Sequence, residues 1–277
     1  MPGNRGNRAD RGGGRAPLPR NVQVSKKIAW LLRHGAEKEG LTLGEGGFIN
    51  AQDVLNNRNL RSLKVTFEEM RQLVADNDKQ RFTLVPASEV ATDTANGEMN
   101  SHTPAPSDNP KDWLIRANQG HSLKVESEGL LQPITENEIP ETAVHGTTHA
   151  SWPLIVQSGG LKVMGRNHIH LASGLPAGFQ SVVELDKDTV AAPVISGMRK
   201  SSTVLIYLDL RRAMETGLQF WRSDNGVILT EGNEDGLLSM EFFKRVEDRT
   251  GAGVLMEDGK VVKEAPEKWS SKGKAKG

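Results

Sequence analysis

Between Pro86 and Lys111 the chain runs through Thr, Asn, Ser and three prolines (Pro104, Pro106, Pro110) without one Phe, Trp or Tyr. A stretch with so little to bury reads as a linker or long surface loop, and it divides the apolar patterning around it. The stretches on either side, about 22–85 and 134–258, must therefore supply the packed structure. At 277 residues the chain has room for one large domain or two small ones, and 36% hydrophobic residues is lean enough to leave sizeable parts outside any core. A second loop is expected at Gly174–Pro193. Nothing repeats internally.

The formal charge is balanced at 35 basic against 35 acidic residues, but unevenly placed. The first twenty residues carry Arg5, Arg8, Arg11, Arg15 and Arg20 against Asp10, among Gly12, Gly13 and Gly14. Lys268, Lys272, Lys274 and Lys276 sit among serines and glycines at the other end. Segments 1–21 and 259–277 are read as disordered tails, either solubilising or tracking nucleic-acid phosphates. With both ends basic, the middle is acidic. Glycine and proline in the first tail argue against an amphipathic transit helix. The absence of cysteine excludes disulfides, thiolate-ligated zinc, iron–sulfur clusters and a cysteine nucleophile. No apolar run approaches the roughly 20 residues that span a bilayer, so no membrane partner is expected.

In the first folded segment, Ser25 is a plausible N-cap for a helix over Lys26–His34, with Ile28, Leu31 and Leu32 as its buried stripe and Gly35 as its stop. Asn50 can cap a helix through Leu55, and Thr66 with Glu69 matches a capping box. Strands are predicted at Arg81–Val85 and Trp113–Ala117. Three short helices with a strand pair make a winged-helix-like pattern, an analogy common among nucleic-acid binders. Arg33 and His34 at a helix C-terminus suit the helix dipole. Together with Arg116, Gln119 and His121 on a separate strand and turn, they also suit a doubly charged phosphate.

The second segment predicts strands at Ala143–Val144, His168–Leu171, Val204–Asp209 and Val227–Thr230, with one helix near Ser151–Ser158, hence an α+β lobe of mixed strands. His168 and His170 alternate along a strand, but no acidic residue nearby in sequence completes a metal set. His149 reads as buried and hydrogen-bonded. No dinucleotide-binding Gly-x-Gly-x-x-Gly and no P-loop occurs. Asn225-Gly226 alone is a hairpin signal.

Six blocks in order carry a family resemblance. They are Leu32-Arg33-His34-Gly35, Ile115–Ser122, His145-Gly146-Thr147, Gly160–Leu171 with Arg166, Gly197-Met198-Arg199, and Ser223 through Val227. Together they resemble the NAD-dependent RNA 2′-phosphotransferases that finish tRNA splicing, over about 22–248; the long insert looks like a fungal-type elaboration. The resemblance implies a winged-helix RNA lobe (22–133) followed by an ADP-ribosyltransferase-like NAD lobe (134–258). It implies transfer of an internal 2′-phosphate to NAD⁺ in two steps through an ADP-ribosylated RNA phosphate. The products are RNA 2′-hydroxyl, nicotinamide and ADP-ribose 1″,2″-cyclic phosphate. Arg33, His34, Arg116 and Arg199 match the family's essential set, with Gln119 and His121 beside the RNA phosphate. His145, Gly146, Thr147, Arg166, His168, His170, Asn225 and Gly226 fall to the NAD⁺ site, where Gly146 is expected to permit close backbone approach. No metal is implied. A monomer in cytoplasm or nucleus is expected, with tRNA or another 2′-phosphorylated RNA and NAD⁺ as partners. The alternatives are a non-catalytic RNA-binding protein, an ADP-ribosyltransferase for another acceptor, and a metallohydrolase.

Overall fold

A computed structural model describes residues 17–92, 107–125, 129–182 and 193–269. The arginine-rich start up to Arg15, the centre of the long insert (93–106) and the lysines from Lys272 onward lie outside the described residues.

The chain folds into two lobes with separate cores, α+β as expected. The first opens with α1 (Arg20–Trp30), which buries Val24 and Ile28. The chain then continues without a break through a π-helical turn over Leu31–Gly35, whose Leu31 and Leu32 complete the expected stripe. Ser25 is therefore inside the helix and not its cap. Arg20 anchors the start instead, donating to both carboxylate oxygens of Glu69 at 2.7 and 2.8 Å and to Leu63 O at 2.8 Å. No side chain caps this helix, and a tether to a residue 49 positions away leaves no local sequence pattern. Gly35 does not stop the helix either: Ala36 remains helical and the left-handed stop falls at Gly40 (φ +72°). A Cβ at Gly35 would lie 2.5 Å from the Trp30 ring, so any larger residue there needs the partly exposed indole to move.

β1 (Ile49–Asn50), α2 (Ala51–Asn56), α3 (Arg58–Arg61), α4 (Phe67–Ala75), β2 (Phe82–Pro86), α5 (Ala87–Thr92) and β3 (Trp113–Ala117) follow. Asn50 caps α2 through its side chain and Thr66 caps α4, as read from sequence. The reciprocal half of the capping box is absent because Glu69 is held by Arg20. The strands form an antiparallel sheet in the order β1-β3-β2. The expected linker is shorter than read, since α5 occupies its first residues and a 3₁₀ turn, Pro110–Asp112, its last.

The second lobe contains β4 (Leu131–Pro133), β5 (Val144–Thr147), α6 (Trp152–Gln157), β6 (Gly160–Lys162), β7 (Ile169–Ala172), β8 (Val204–Leu208), α7 (Leu210–Glu215), β9 (Trp221–Ser223), β10 (Val227–Thr230), β11 (Leu237–Ser239), β12 (Phe243–Asp248), β13 (Gly253–Glu257) and β14 (Lys260–Val261). Nine strands form one sheet, in the order β14-β13-β12-β8-β5-β7-β10-β9-β4, and every pairing is antiparallel. Central β8 is buried throughout. At the middle of this sheet β5 and β7 share a single register pair, Val144 with Ala172. The ladder therefore parts there into two halves, and the gap falls beside His145 and His170.

Two boundaries differ from the sequence reading. Leu131–Pro133 pairs with β9 and so joins the second lobe, because its pairing partner lies ninety residues downstream. The chain also stays packed beyond 258, through β14 to Trp269, which is 5% exposed and stacks on His149 at 4.0 Å. His149 in turn bonds the buried Asp248 carboxylate at 2.7 Å. Among the described residues no helix is long and apolar enough to cross a membrane. Trp269→Ala should lower unfolding stability by about 3 kcal/mol, the usual cost of emptying a buried indole site, as read by urea denaturation.

Candidate functional site

Arg33 and His34 project from the π-helical turn. Such a turn widens the helix and frees carbonyls from the regular ladder, a distortion frequent at functional positions. Arg33 O is taken up by the N–H groups of Ser122 and Leu123 at 3.0 and 3.3 Å, from the loop after β3. The Ser122 hydroxyl bonds His34 Nδ1 at 2.8 Å. One residue thus fixes the backbone of Arg33 and the ring of His34. Sequence reading assigned Ser122 no role; the bond joins residues 88 apart and has no periodic signature.

The Arg33 guanidinium is largely enclosed, and its Nε and Nη2 have no hydrogen-bond partner. Burial, then Arg166 and Arg81, push its pKa down to about 10. Leaving buried donors of a cation unpaired costs more than an ordinary hydrogen bond is worth. His34 is held below the usual imidazole range by burial and by Arg33 and Arg166. Burial and then Arg166 push His170 down to about 3. His121 is 4% exposed and is pushed down to about 4 by burial, then by Arg33, His34, His168 and Arg116. Arg166 is lowered by burial and by Arg199, and Arg199 also acts on His145. Arg33, His34, Arg116, His121, Arg166, His168, His170, His145 and Arg199 are thus linked by mutual electrostatic influence, from both lobes. Lys79 and Arg81, which the sequence did not single out, extend this positive region.

The imidazoles have assignable roles. His145 Nδ1–H donates to His170 O at 2.9 Å, bridging the parted strands, and His170 Nδ1–H donates to His168 O at 2.9 Å. His170 Nε2 is then a bare lone pair, buried and unpartnered, and suited to accept from a ligand hydroxyl. His168 lies just before β7 and not within it; its Nε2 is 3.6 Å from Glu231, too long for a hydrogen bond. Among the described residues no three His, Asp or Glu gather as a metal-ligand group. Gln119 Oε1 and His121 Nε2 are also buried without partners.

Three residues are placed differently from what their motif suggested. Arg116 is 8% exposed and largely engaged: Nη1 donates to Gly129 O at 2.6 Å and Gly46 O at 3.3 Å, Nη2 to Asp224 at 2.7 Å, and the guanidinium lies over Phe48. Asn225 bonds Lys79 O, Ser196 and Ser223, stapling the β9–β10 turn to the first lobe, so a cofactor would have to displace these contacts to reach it. Gly226 closes that turn as the hairpin reading foresaw. At Gly146 the space a Cβ would fill is taken by Met198 and Ser202, 2.5 and 2.6 Å away. On its Cβ side this glycine admits the Arg199 segment against β5. Thr147 is buried at the end of the same strand.

Buried guanidinium donors without partners and imidazoles held neutral by burial and neighbouring cations, contributed by both lobes, make a positive cluster that suits a multiply charged anion such as a phosphate ester. The family profile described as RNA 2′-phosphotransferase, Tpt1 / KptA family, matches residues 19–232. The chain is 37% identical to the tRNA 2′-phosphotransferase 1 of Danio rerio over 239 residues, 85% of this chain and 89% of that protein. It is 38% identical to the human protein of the same name over 84% of this chain and 79% of that one. It is 35% identical to the tRNA 2′-phosphotransferase of Saccharomyces cerevisiae over 76% and 79%. The chain belongs to the RNA 2′-phosphotransferase family and is an enzyme.

Two outcomes follow from the geometry. His121 and His170 stay neutral in the folded chain down to about 4 and 3, whereas unfolded imidazoles protonate near 6.5. The stability they contribute is therefore present above the unfolded value and lost as pH falls below it. Between pH 7 and 5 each should cost about 2 kcal/mol, and His121→Asn should reduce that loss in urea titrations at the two pH values. Gly146→Ala should destabilise by about 1–3 kcal/mol through overpacking, and adding Met198→Ala should recover part of it.

Proposed function

We propose that the chain removes an internal 2′-phosphate from tRNA or a similar RNA and transfers it to NAD⁺. The buried Arg33 guanidinium carries this reading, because its unpaired Nε and Nη2 form a side-on edge that a phosphate can fill with two bonds. The first lobe is read as winged-helix-like, presenting RNA. The second is read as ADP-ribosyltransferase-like, with NAD⁺ at the parted β5–β7 gap beside His145, Thr147, Arg166, His168 and His170. The lone pair of His170 Nε2 fits a ribose hydroxyl, and Arg166 and Arg199 fit the pyrophosphate charge. NAD⁺, consumed as co-substrate, supplies a ribose carbon that takes the phosphate as nicotinamide leaves and a neighbouring hydroxyl that then displaces the RNA 2′-oxygen from phosphorus.

The protein's part is mainly positioning and charge stabilisation. A phosphate monoester is already a nucleophilic anion at neutral pH, so it needs to be held in line more than deprotonated. Arg33, Arg116 and Arg199 favour the charge that accumulates on the phosphoryl oxygens as the second displacement proceeds. With Ser122 donating to Nδ1, the neutral His34 ring carries its hydrogen on Nε2 and can donate a hydrogen bond to the phosphate. Once protonated, with Nδ1–H turned to the Ser122 oxygen, it can pass the Nε2 proton to the departing 2′-oxygen and return to the neutral ring. A dianion in the site also favours the protonated ring, opposing the burial that holds it neutral.

The test supplies a short RNA bearing one internal 2′-phosphate, with and without NAD⁺. Phosphate loss and nicotinamide release should both require NAD⁺; RNA binding without either would leave a binding protein. Arg33→Ala should lower turnover by on the order of 10²–10³. Ser122→Ala should lower it by about tenfold, the worth of one such hydrogen bond, with the KM for NAD⁺ unchanged. Glu231 beside His168 favours one second reading, ADP-ribosyl transfer to another acceptor. In that case nicotinamide would be released with the 2′-phosphate left untouched.

A further inference from the structure

Asp224 lies within the Ser223–Val227 block, where sequence reading assigned it no role of its own, yet its carboxylate holds the Arg116 guanidinium across the lobe boundary at 2.7 Å. We propose that Asp224 is a positioning residue that occupies Arg116 in the unloaded enzyme and is displaced by the substrate's phosphate. The inference rests on the phosphotransferase reading.

Arg116 is held in two different ways. Two backbone carbonyls on Nη1 and the Phe48 ring beneath fix the plane of the guanidinium from the first lobe and the Gly129 turn. Nε is buried without a partner. Nη2 is bonded to Asp224, whose side chain is 37% exposed beside an Arg116 side chain only 10% exposed. The edge that would receive a phosphate side-on is thus half open and half covered by a carboxylate. The turn carrying Asp224 does not depend on that carboxylate. Gly226 N–H donates to Ser223 O, Ser223 bonds Asn225, and Asn225 donates to Lys79 O. The Asp224 side chain can swing toward solvent while the turn stays in place.

Charge sets the direction of the exchange. A phosphate monoester dianion outcompetes a single carboxylate for a guanidinium, and it then repels the carboxylate from the site. Once the product carries a 2′-hydroxyl and the phosphate has left as a singly charged cyclic diester, the carboxylate competes on equal terms and returns. Asp224 therefore keeps Arg116 oriented and neutralised between turnovers. It also weakens the hold on phosphate enough to let product go.

Asp224→Asn retains an oxygen that can accept from Nη2 and removes only the charge; Asp224→Ala removes both. Binding is read without NAD⁺ from the fluorescence anisotropy of a labelled short RNA, with and without its 2′-phosphate, and turnover is read with NAD⁺. Both variants should bind the 2′-phosphorylated RNA about five- to tenfold more tightly, with little change for the 2′-hydroxyl RNA. Inorganic phosphate should inhibit both more strongly, and KM for the RNA should fall without a rise in kcat. Unchanged or weaker binding of the phosphorylated RNA by both variants would overturn the proposal, as would equal tightening toward both RNAs. An equal gain from Asp235→Asn, which alters charge away from Arg116, would overturn it too. A wild-type chain that binds the phosphorylated RNA but transfers nothing to NAD⁺ would instead sink the phosphotransferase reading, leaving the binding comparison to judge Asp224.

Discussion

Burying a guanidinium with two donors unpaired is expensive, and Arg33 is held that way by contacts from three directions. The π-helical turn orients it, the Ser122–Leu123 loop captures its carbonyl, and the second lobe closes the space with the segment around Arg166. None of these contacts relieves the guanidinium itself. The structure therefore stores an affinity for anions at one point and sustains it by packing elsewhere, in the two hydrophobic cores on either side.

Backbone-directed hydrogen bonds join the two lobes. Asn167 N–H donates to His121 O and its side chain to Leu123 O, while Lys79 reaches Met198 O and Asn225 reaches Lys79 O. Such bonds fix relative position closely but contribute modest net stability each. The arrangement suits a site assembled from residues of both lobes, because an error of an ångström between them would separate Arg33 from Arg166 and Arg199. The parted β5–β7 ladder serves the same end. A sheet continuous through that point would fill the gap with backbone and leave no edge at which His145 and His170 could stand.

The helix stripe of Ile28, Leu31 and Leu32, the caps at Asn50 and Thr66, the strands at Trp113–Ala117 and Val227–Thr230 and the Asn225-Gly226 turn were all legible in the sequence. Each depends on neighbours within a few residues. Less was legible where a distant partner overrode the local signal. Ser25 falls inside a helix that starts five residues earlier, where Arg20 is tethered to Glu69, Gly35 faces Trp30 and not a left-handed turn, and Trp269 belongs to the core because His149 and Asp248 await it.

By itself the sequence determined the chemistry available: arginines and histidines in ordered blocks, no thiols, and a resemblance strong enough to name a family. Tertiary structure alone decided how those groups are used. Desolvation and mutual repulsion make His121 and His170 neutral, and carbonyls and a carboxylate from other segments engage Arg116. Met198 fills the space beside Gly146, and Asn225 becomes a staple between lobes. Local pattern reports which side chains exist and which way an element turns. Burial, charge and hydrogen-bond satisfaction are properties of what surrounds a residue in space, and here those surroundings come from residues up to 146 positions away.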